Sequence, residues 1–592
     1  MKIQYKIASV ERWLIIVNSF TGAAVAASFV LLFGFKEPIT APSLLHAVQM
    51  LCLFIFIAEK PARFFNSRRK LDYLAANWFE FPLLAALALI YFGSSALFNA
   101  QTPADLKKIA IAVYLIIEVV AKVSRTCVNL AASGKNPTRT LILSFIVLIV
   151  CGTGLLMLPR SHANSETGFV DSLFTATSAT CVTGLVVKST GNDFSLFGQI
   201  VILTLIQLGG LGIVTFGVVF TLLLGQALTV RESVAMQDLL SAQTLGTIGK
   251  IIAFIFIATI SLEALGAASL FSMWDNSALW SGSVKYQWFY SIFHSISAFC
   301  NSGFALLDDS MIGYNKCWQL YGVICPLIIL GGLGFPVLYN LNSVVLDRLK
   351  CFLQKRANPA TIFAHRCPFR IQLQTKIVLA ASASLILFGM LMIMLFEYAT
   401  SPSHSSLTVP DALFQSVTAR TAGFNTVKIA SLRPQTRFIL ILLMFIGGSP
   451  ASTAGGIKTV TFAVVIMAAY AAIRRRSEVE IFRRSIKMVI VGRAITVTLL
   501  FVSVLFTLTM ALSITERANN FQLADIFFET ASALGTVGLS SGITASLTNA
   551  GKLLIIAAML IGKLGPLTLL ATLTFNLKPV RFNYPGEPVL VG

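Results

Sequence analysis

Long apolar runs are the feature that most constrains how this chain can fold. They recur from Trp13–Phe35 to Leu553–Leu577, and a hydrocarbon core of about 30 Å needs about 20 apolar residues per crossing helix. Only 12% of the residues are charged, whereas soluble domains have about 25%. The sequence therefore predicts an all-α polytopic protein in a lipid bilayer. The first run is too long for the core of a signal peptide, and we expect it to be retained as a span.

The formal net charge of +20 is explained by topology. Four spans before residue 135 and a cytosolic N-terminus place about two-thirds of the 45 lysines and arginines in cytosolic segments, as the positive-inside rule requires. The chain is therefore predicted to be multi-pass, with both termini cytosolic and with no nucleic-acid partner. Arg420, Lys458 and Lys563 fall at membrane depth, where a charge is costly and marks a functional hypothesis.

Residues that could carry enzyme chemistry are sparse. The nine cysteines have no CxxC spacing, and the five histidines form no motif, so no disulfide framework, metal cluster or membrane enzyme is indicated. No GxGxxG follows a strand, so a nucleotide-binding domain is not expected within the chain. We predict no enzyme activity and no bound organic cofactor.

Four short segments repeat one pattern, in which a phenylalanine precedes a glycine by nine or ten residues. The copies recur about every 120 residues. Each lies between two apolar runs and is too short to cross a bilayer, so it is predicted to be a re-entrant half-helix. Non-helical backbone at membrane depth must face protein or water, so the four segments should converge on one aqueous pathway. The phenylalanines are Phe174, Phe293, Phe414 and Phe528, and the glycines are Gly184, Gly303, Gly423 and Gly538.

The predicted architecture is four tandem repeats of helix, pore helix and helix around one pore, preceded by four N-terminal transmembrane helices. The predicted units are 1–135 for the N-terminal module and 136–240, 241–355, 356–480 and 481–592 for pore repeats one to four, the last including the C-terminal tail. For the N-terminal module we expect a role in packing or assembly.

The recurring glycines suit a cation pathway. Backbone carbonyls can replace the water shell of a cation without adding charge. Glycine can adopt positive φ, which lets successive carbonyls turn toward one axis, and the negative end of a half-helix dipole favours a cation there. The alternative is that they are ordinary helix-packing glycines. Four copies in one register favour the first interpretation.

Two motifs carry a family resemblance, RTAGFNT at 420–426 and GGSPASTAGGIKT at 447–459. Over about 138–577 the chain resembles the Trk/Ktr/HKT superfamily of K⁺ transporters, nearest to its bacterial TrkH and KtrB pore subunits. The resemblance implies K⁺ uptake, with K⁺ as the transported ion held by a selectivity filter. Within the family, four filter glycines accompany K⁺ selectivity and a serine at the first accompanies Na⁺ conduction. The implied carbonyl ligands are Val182, Thr183, Gly184, Asn301, Ser302, Gly303, Thr421, Ala422, Gly423, Thr536, Val537 and Gly538.

The second span of the third repeat is interrupted by GGSPASTAGG. Each interior glycine opposes helix by about 1 kcal/mol and a proline by about 3 kcal/mol, so a loop at 447–458 is predicted. The resemblance implies that this loop is a gate, although a proline kink is the alternative. GGLGI, GGLGFP and GKLGP at the matching points of the other repeats are expected to be kinks. The predicted gating residues are Gly447, Gly448, Ser449, Pro450, Gly455, Gly456, Lys458 and Lys563.

The charged residues at membrane depth each have more than one possible role. Lys458 and Lys563 could repel a passing K⁺, or they could snorkel or pair. Arg420 ends the third pore helix, where a cation complements the helix dipole, so we interpret it as a filter support. Glu118 and Glu263 are either proton or ion sites or structural carboxylates.

The resemblance also implies partners and a location. It predicts a homodimer in the bacterial inner membrane, docked to a cytosolic RCK-type nucleotide-binding regulatory subunit resembling TrkA or KtrA. The basic loops Arg348–Lys376 and Arg474–Arg493 are candidate docking surfaces. A Na⁺- or H⁺-coupled symporter of the same family is one alternative function. An alternating-access transporter is another, but that class typically has inverted repeats, and the repeats here run parallel.

Overall fold

The computed structural model describes most of the chain. The described residues are 6–37, 40–77, 80–97, 103–133, 137–163, 167–212, 218, 248–274, 284–357, 370–398, 407–476 and 478–565. The chain is mostly helical within them. Both termini lie outside the described residues, as do most of the two predicted cytosolic segments at 231–250 and 578–581.

The N-terminal region contains four main helices and one short one. Helices α1 and α2 pack together, α4 packs on α5, and α5 joins the region to the next helix, α6. The helices are α1 (Ala8–Phe33), α2 (Pro42–Asn66), α3 (Lys70–Ala76), α4 (Glu80–Leu97) and α5 (Pro103–Ser133).

The rest of the chain repeats the order of long helix, short helix, second helix. The first set is α6 (Pro137–Leu156), α7 (Phe169–Thr180) and α8 (Leu196–Leu211); the second is α9 (Ile248–Leu270), α10 (Val284–Phe299) and α11 (Cys325–Leu333), followed by α12 (Phe335–Ala357). The third set is α13 (Leu373–Tyr398), α14 (Val409–Thr418) and α15 (Pro434–Phe445), followed by α16 (Thr459–Ile473). The fourth is α17 (Met488–Thr515), α18 (Leu523–Gly535) and α19 (Asn549–Leu564).

The sets pack in a closed order. Helix α8 contacts α10, α11 contacts α14, α15 contacts α18, and α19 contacts α7, so each second helix packs on the short helix of the next set. The phenylalanines that begin the repeated pattern, Phe174, Phe293, Phe414 and Phe528, are at most 1% exposed. These side chains anchor the short helices in the interior.

The second helices end at glycines. Gly212, Gly334 and Gly565 cap α8, α11 and α19 with φ of 78°, 86° and 83°, a conformation that side chains disfavour. At Gly334 the flanking helices are bent by 103°. This is sharper than the kink expected from the sequence, because a left-handed residue ends the helical hydrogen bonding instead of only bending it.

A small hairpin, not predicted from the sequence, follows α16. Strands β1 (Val479–Ile481) and β2 (Arg484–Ile486) pair antiparallel. Phe482 and Arg483 connect them with φ of 50° and 60°, the two positive angles of a type I′ turn. Neither is the asparagine or glycine that signals such a turn. The expected repeat boundary at 480 lies within β1.

Five helices are long and apolar enough to cross a membrane, or six if the bent pair at Gly334 counts as one span. These counts cover the described residues. They include α1, α2, α13 and α17, whereas α8, α15 and α16 are shorter apolar helices.

Candidate functional site

The four glycine segments form a closed ring. A Cβ added to Gly303 would lie 2.5 Å from the Ala422 carbonyl oxygen, and one on Gly423 would lie 2.5 Å from that of Val537. Likewise, a Cβ on Gly184 would meet the Ser302 oxygen, and one on Gly538 would meet the Thr183 oxygen. Each glycine therefore faces the residue before the next glycine, and the ring has no room for a side chain.

All four segments share one backbone conformation. Val182, Asn301, Thr421 and Thr536 have φ between 51° and 74°, and the glycines two residues later have φ between 71° and 94°. In an extended strand, successive residues point to opposite faces. A positive φ at every second residue instead lets successive carbonyls turn to one side. A left-handed conformation in a β-branched residue is strained by about 1–3 kcal/mol and is typical of functional sites.

Hydrogen bonds at the ends of the short helices produce this conformation. The Val182 N–H donates to the Ala179 carbonyl (3.1 Å) and the Thr183 N–H to that of Ser178 (2.8 Å), which is the Schellman pattern of a helix C-terminus. The segments at Asn301 and Thr536 repeat it. In the third segment the Ala422 N–H instead donates to the Thr418 carbonyl (2.9 Å), consistent with its spacing being one residue shorter.

A hydroxyl group four residues after each phenylalanine fastens the segment. Ser178 Oγ donates to the Leu185 carbonyl (2.7 Å) and accepts from the Gly184 N–H (3.1 Å). Ser297 and Thr418 donate to the carbonyls of Phe304 and Phe424, each at 2.8 Å, and Ser532 accepts from the Gly538 N–H (3.1 Å). The sequence analysis missed these residues, although a serine or threonine at one position in four repeats was the available signal.

A second buried polar position directly follows each phenylalanine. His294 Nδ1 lies 2.8 Å from the Tyr290 carbonyl, and its Nε2 accepts from the Leu306 N–H (3.3 Å), a network that assigns the tautomer. The matching Gln415 amide donates to Thr426 Oγ1 (3.4 Å). The matching Glu529 Oε1 accepts from Ser540 Oγ (3.1 Å) and from Thr544 Oγ1. In these repeats, a side chain of the short helix holds the chain just beyond the glycine.

A cavity of about 270 Å³ lies against the glycine ring. All four glycines line it, together with residues that follow them. One carboxylate faces it, that of Asp308, which accepts from Asn192 Nδ2 (2.5 Å) and from Ser189 Oγ. An ion in this cavity would therefore reach the glycine ring along polar side chains.

In the third repeat, α15 ends at Phe445 and α16 begins at Thr459, so the chain between them is not helical. The intervening loop contacts two other repeats. The Ser449 N–H donates to the Gly332 carbonyl (3.0 Å), and Lys563 Nζ donates to the Thr453 carbonyl (2.6 Å). A Cβ on Gly455 would meet the side chain of Thr536 in the fourth glycine segment. The loop therefore lies directly against the ring.

The third repeat differs from the others at its second helix. In the others, Gly209, Gly331 and Gly562 lie against the carbonyls of Thr180, Phe299 and Leu534, at the ends of the short helices. The equivalent Gly447 lies against the Gly455 carbonyl of its own loop. The loop thus occupies space that direct helix packing fills elsewhere.

The three charges predicted at membrane depth all bind backbone carbonyls. Lys458 Nζ donates to the Ala454 carbonyl (2.7 Å), while Lys563 binds that of Thr453. Arg420 contacts Ser382 Oγ (3.3 Å) and the Gly447 carbonyl (3.5 Å). The two lysines therefore hold the loop in place. Arg420 links the third glycine segment to Gly447, at the start of the loop.

Comparisons with known proteins identify the family. The family model described as TrkH, cation transport protein, matches residues 106–579. The chain is 38% identical over 461 residues to the Ktr system potassium uptake protein B of Bacillus subtilis, covering 77% of this chain and 97% of that protein. The chain belongs to the Trk/Ktr superfamily of cation transporters. The resemblance inferred from the sequence is confirmed.

Two further comparisons agree. The potassium/sodium uptake protein NtpJ of Enterococcus hirae is 32% identical over 464 residues, covering 77% of this chain and 97% of that protein. The crystal structure of the potassium transporter TrkH from Vibrio parahaemolyticus has the same fold, with a TM-score of 0.56 at 19% identity, covering 86% of this chain and 98% of that chain. The chain is thus a multi-pass membrane transporter and not an enzyme.

The two flagged carboxylates differ in their surroundings. Glu118 in α5 pairs with Lys60 at 2.7 Å and Lys122 at 3.5 Å, which favours a structural role. Glu263 in α9 accepts from Gln207 Nε2 (3.1 Å) and has the Cys300 thiol 3.9 Å from Oε1. Within the described part of the chain, Glu263 forms no salt bridge.

Proposed function

We propose that this protein carries K⁺ into the cell through a selectivity filter made by the four glycine segments. The observation that carries the proposal is the ring in which each glycine lies against the carbonyl of the next segment. A ring of carbonyls can replace the water shell of a cation, and the short helices direct the negative ends of their dipoles toward it. The ion, K⁺, is inferred from the relatives, which are potassium uptake proteins.

The proposed filter consists of the twelve residues predicted from the sequence, in four pore repeats with the boundaries given above. Arg420 supports the third segment. Membrane potential supplies about 2.3 kcal/mol per charge per 100 mV for inward movement, so the pathway needs no hydrolytic machinery. We place it in the bacterial inner membrane with both termini cytosolic.

The loop at 447–458 is proposed as the gate. Its support is its position against Thr536 and the hydrogen bonds that hold it across the second and fourth repeats. A homodimer bound to an RCK-type regulator would control the loop. The regulator would act on the loop through the basic cytosolic segments.

Substituting one glycine tests the filter. A side chain at Gly184 would strain a φ of 87° and meet the Ser302 carbonyl. Gly184→Ser should lower the preference for K⁺ over Na⁺ at least about tenfold, which corresponds to about 1.4 kcal/mol. The measurement is competitive K⁺ and Na⁺ flux in proteoliposomes, normalised to folded protein.

Gly154→Ser is the matched control, because Gly154 lies in the long helix of the same repeat and has open space around its Cβ position. It should leave selectivity unchanged. If Gly184→Ser folds and keeps the K⁺ preference of the parent, the filter has been assigned to the wrong residues.

A coupled symporter is the second candidate. Glu263 favours it, since a buried carboxylate with neutral partners is costly when ionised and can be neutralised by a proton or a cation. Glu263→Gln would abolish the dependence of K⁺ uptake on a pH or Na⁺ gradient if uptake is coupled there. If K⁺ uptake by the parent protein depends on neither the pH gradient nor the Na⁺ gradient, the protein is not a coupled symporter.

A further inference from the structure

An apolar groove separates the N-terminal helices from the first repeat. It has a volume of about 680 Å³ and lies between α1, α5, α6 and α8. Its walls are almost entirely hydrocarbon. They include Phe29, Phe33, Ile116, Val119, Leu155 and Phe197.

One end of the groove is polar. Arg160 and Ser195 line it there, and backbone contacts fix their positions, since the Arg160 N–H donates to the Gly34 carbonyl (3.0 Å) and Ser195 Oγ to that of Arg160 (2.5 Å). The Arg160 side chain is exposed and forms no ion pair with any described residue. This end joins the C-terminus of α1 to the N-terminus of α8, the side of the membrane predicted to face outward.

A groove of this kind excludes most occupants. Its walls offer dispersion contacts and almost no hydrogen-bond partners, so water gains little there, and an empty groove forfeits those contacts. Because α1 is long and apolar enough to cross the membrane, the surrounding solvent is lipid. A guanidinium presents a planar fork that matches phosphate. Apolar walls below an arginine that has no ion pair among the described residues match a lipid with a negatively charged headgroup.

We propose that the groove binds one anionic phospholipid of the outer leaflet, with an acyl chain between the N-terminal helices and the first repeat and the phosphate at Arg160. The lipid would fill the space between α1 and α8, whose adjoining ends are linked by the hydrogen bonds of Gly34, Arg160 and Ser195. It would thus join the N-terminal region to the pore repeats.

Lipid retention by the purified full-length protein tests the proposal. The protein is incubated with equal amounts of phosphatidylglycerol and phosphatidylcholine in detergent, and the lipids that remain bound are counted by native mass spectrometry. We expect one retained phosphatidylglycerol per chain, several-fold preferred over phosphatidylcholine, and a higher Tm when it is bound. Equal retention of the two lipids, or none, would overturn the proposal.

Two variants distinguish binding of the lipid headgroup from binding of the acyl chain. Arg160→Gln should abolish the preference for phosphatidylglycerol but still allow lipid retention. Ala26→Trp, at an exposed groove position on α1, should fill the groove and prevent retention of either lipid. Arg517→Gln removes an exposed arginine from the turn after α17, also predicted to face outward, and should behave like the parent protein.

K⁺ transport and the oligomeric state of the variants serve as controls. Ala26→Trp should transport K⁺ as the parent does, which establishes that it is folded. If it dissociates the dimer, the groove is covered by a second copy and the proposal is wrong. If Arg160→Gln and Arg517→Gln change lipid preference equally, Arg160 is not the headgroup site.

Discussion

The N-terminal helices and the region of the proposed filter both bury many polar groups, but they satisfy them in different ways. Between the N-terminal helices, opposite charges pair directly. Lys122 Nζ lies 2.6 Å from Glu59, Arg63 lies 3.0 Å from the same carboxylate, and Lys60 lies 2.7 Å from Glu118. Around the proposed filter, neutral hydroxyls and backbone groups bind one another, as Ser178 does with Leu185 and Gly184. The cationic side chains near it bind backbone carbonyls and not carboxylates.

The difference matches the roles that we propose for the two regions. Paired charges offset the cost of burial only while every partner remains, which suits a rigid contact that no ion crosses. A fixed charge at the filter would hold or repel the permeating ion, whereas carbonyl dipoles bind it without trapping it. We therefore interpret the N-terminal charge network as structural and the filter as the ion site.

Breaking the charge network should produce the largest loss of stability. Lys122→Met removes a partner of both Glu59 and Glu118, and we expect the free energy of unfolding to fall by about 3 kcal/mol. The preference for K⁺ over Na⁺ should not change. Chemical unfolding in detergent and competitive flux measure the two quantities.

Lys107→Met is the control in the same helix, since Lys107 contacts only the Tyr91 ring (5.2 Å) among the described interactions. It should cost about 1 kcal/mol or less. A change in ion selectivity in Lys122→Met would show that the two regions are coupled and would remove the basis for separating them.

Deleting part of the loop at 447–458 tests whether this loop, which hydrogen bonds hold against other repeats, obstructs the ion pathway. The Gly447 N–H donates to the Ile457 carbonyl (2.9 Å) and the Thr459 N–H to that of Gly448 (3.0 Å), so the two ends of the loop are adjacent. Deleting Ser449 to Ala454 can therefore leave α15 and α16 in place. We expect K⁺ flux per proposed dimer to rise several-fold and to depend less on the proposed cytosolic regulator.

The deletion also separates a gate from a packing element. If the loop only packs the repeats together, the variant will give less folded dimer and no more flux per dimer in proteoliposomes. Either unchanged or reduced flux per dimer would contradict the gate.

The hydroxyl group of Ser178 is proposed to hold the first filter segment in place. Ser178→Ala leaves the buried Gly184 N–H without its acceptor and the Leu185 carbonyl without its donor, at a cost of about 1–3 kcal/mol. We expect a several-fold loss of preference for K⁺, measured as inhibition of K⁺ uptake by Na⁺. Ser178→Thr should retain the preference, because Thr418 makes the equivalent bond in the third repeat. Loss of selectivity in both variants would mean that packing at Ser178, and not its hydroxyl, is what matters.

The smallest effect is expected at Glu529. Glu529→Gln keeps an oxygen that accepts from Ser540 and Thr544, and glutamine already occupies the equivalent position 415. Flux and selectivity should change by no more than about twofold, less than 0.5 kcal/mol. Glu529→Leu removes the acceptor and should lower selectivity further. A large effect of the glutamine variant would show that a charge, and not only hydrogen bonding, contributes behind the filter.

Local patterns predicted much of the candidate site. The glycine at the end of each short segment and the buried phenylalanine before it were visible as a repeat, and the loop at 447–458 followed from helix propensity. The serine and threonine braces were present in the same repeat but were missed, because hydroxyl groups are common in membrane helices and signal no partner. The left-handed conformation of Val182 was also missed, since a β-branched residue rarely adopts it.

The sequence by itself determined where the long apolar segments lie, where helices break and which glycines recur, because apolar length and backbone propensity act over neighbouring residues. Only the tertiary structure decided that Gly184 faces Ser302, that Lys563 holds the loop at Thr453, and that Glu118 pairs with Lys60. These contacts join residues far apart in the chain. They depend on how whole helices pack, and local propensity carries no information about that packing.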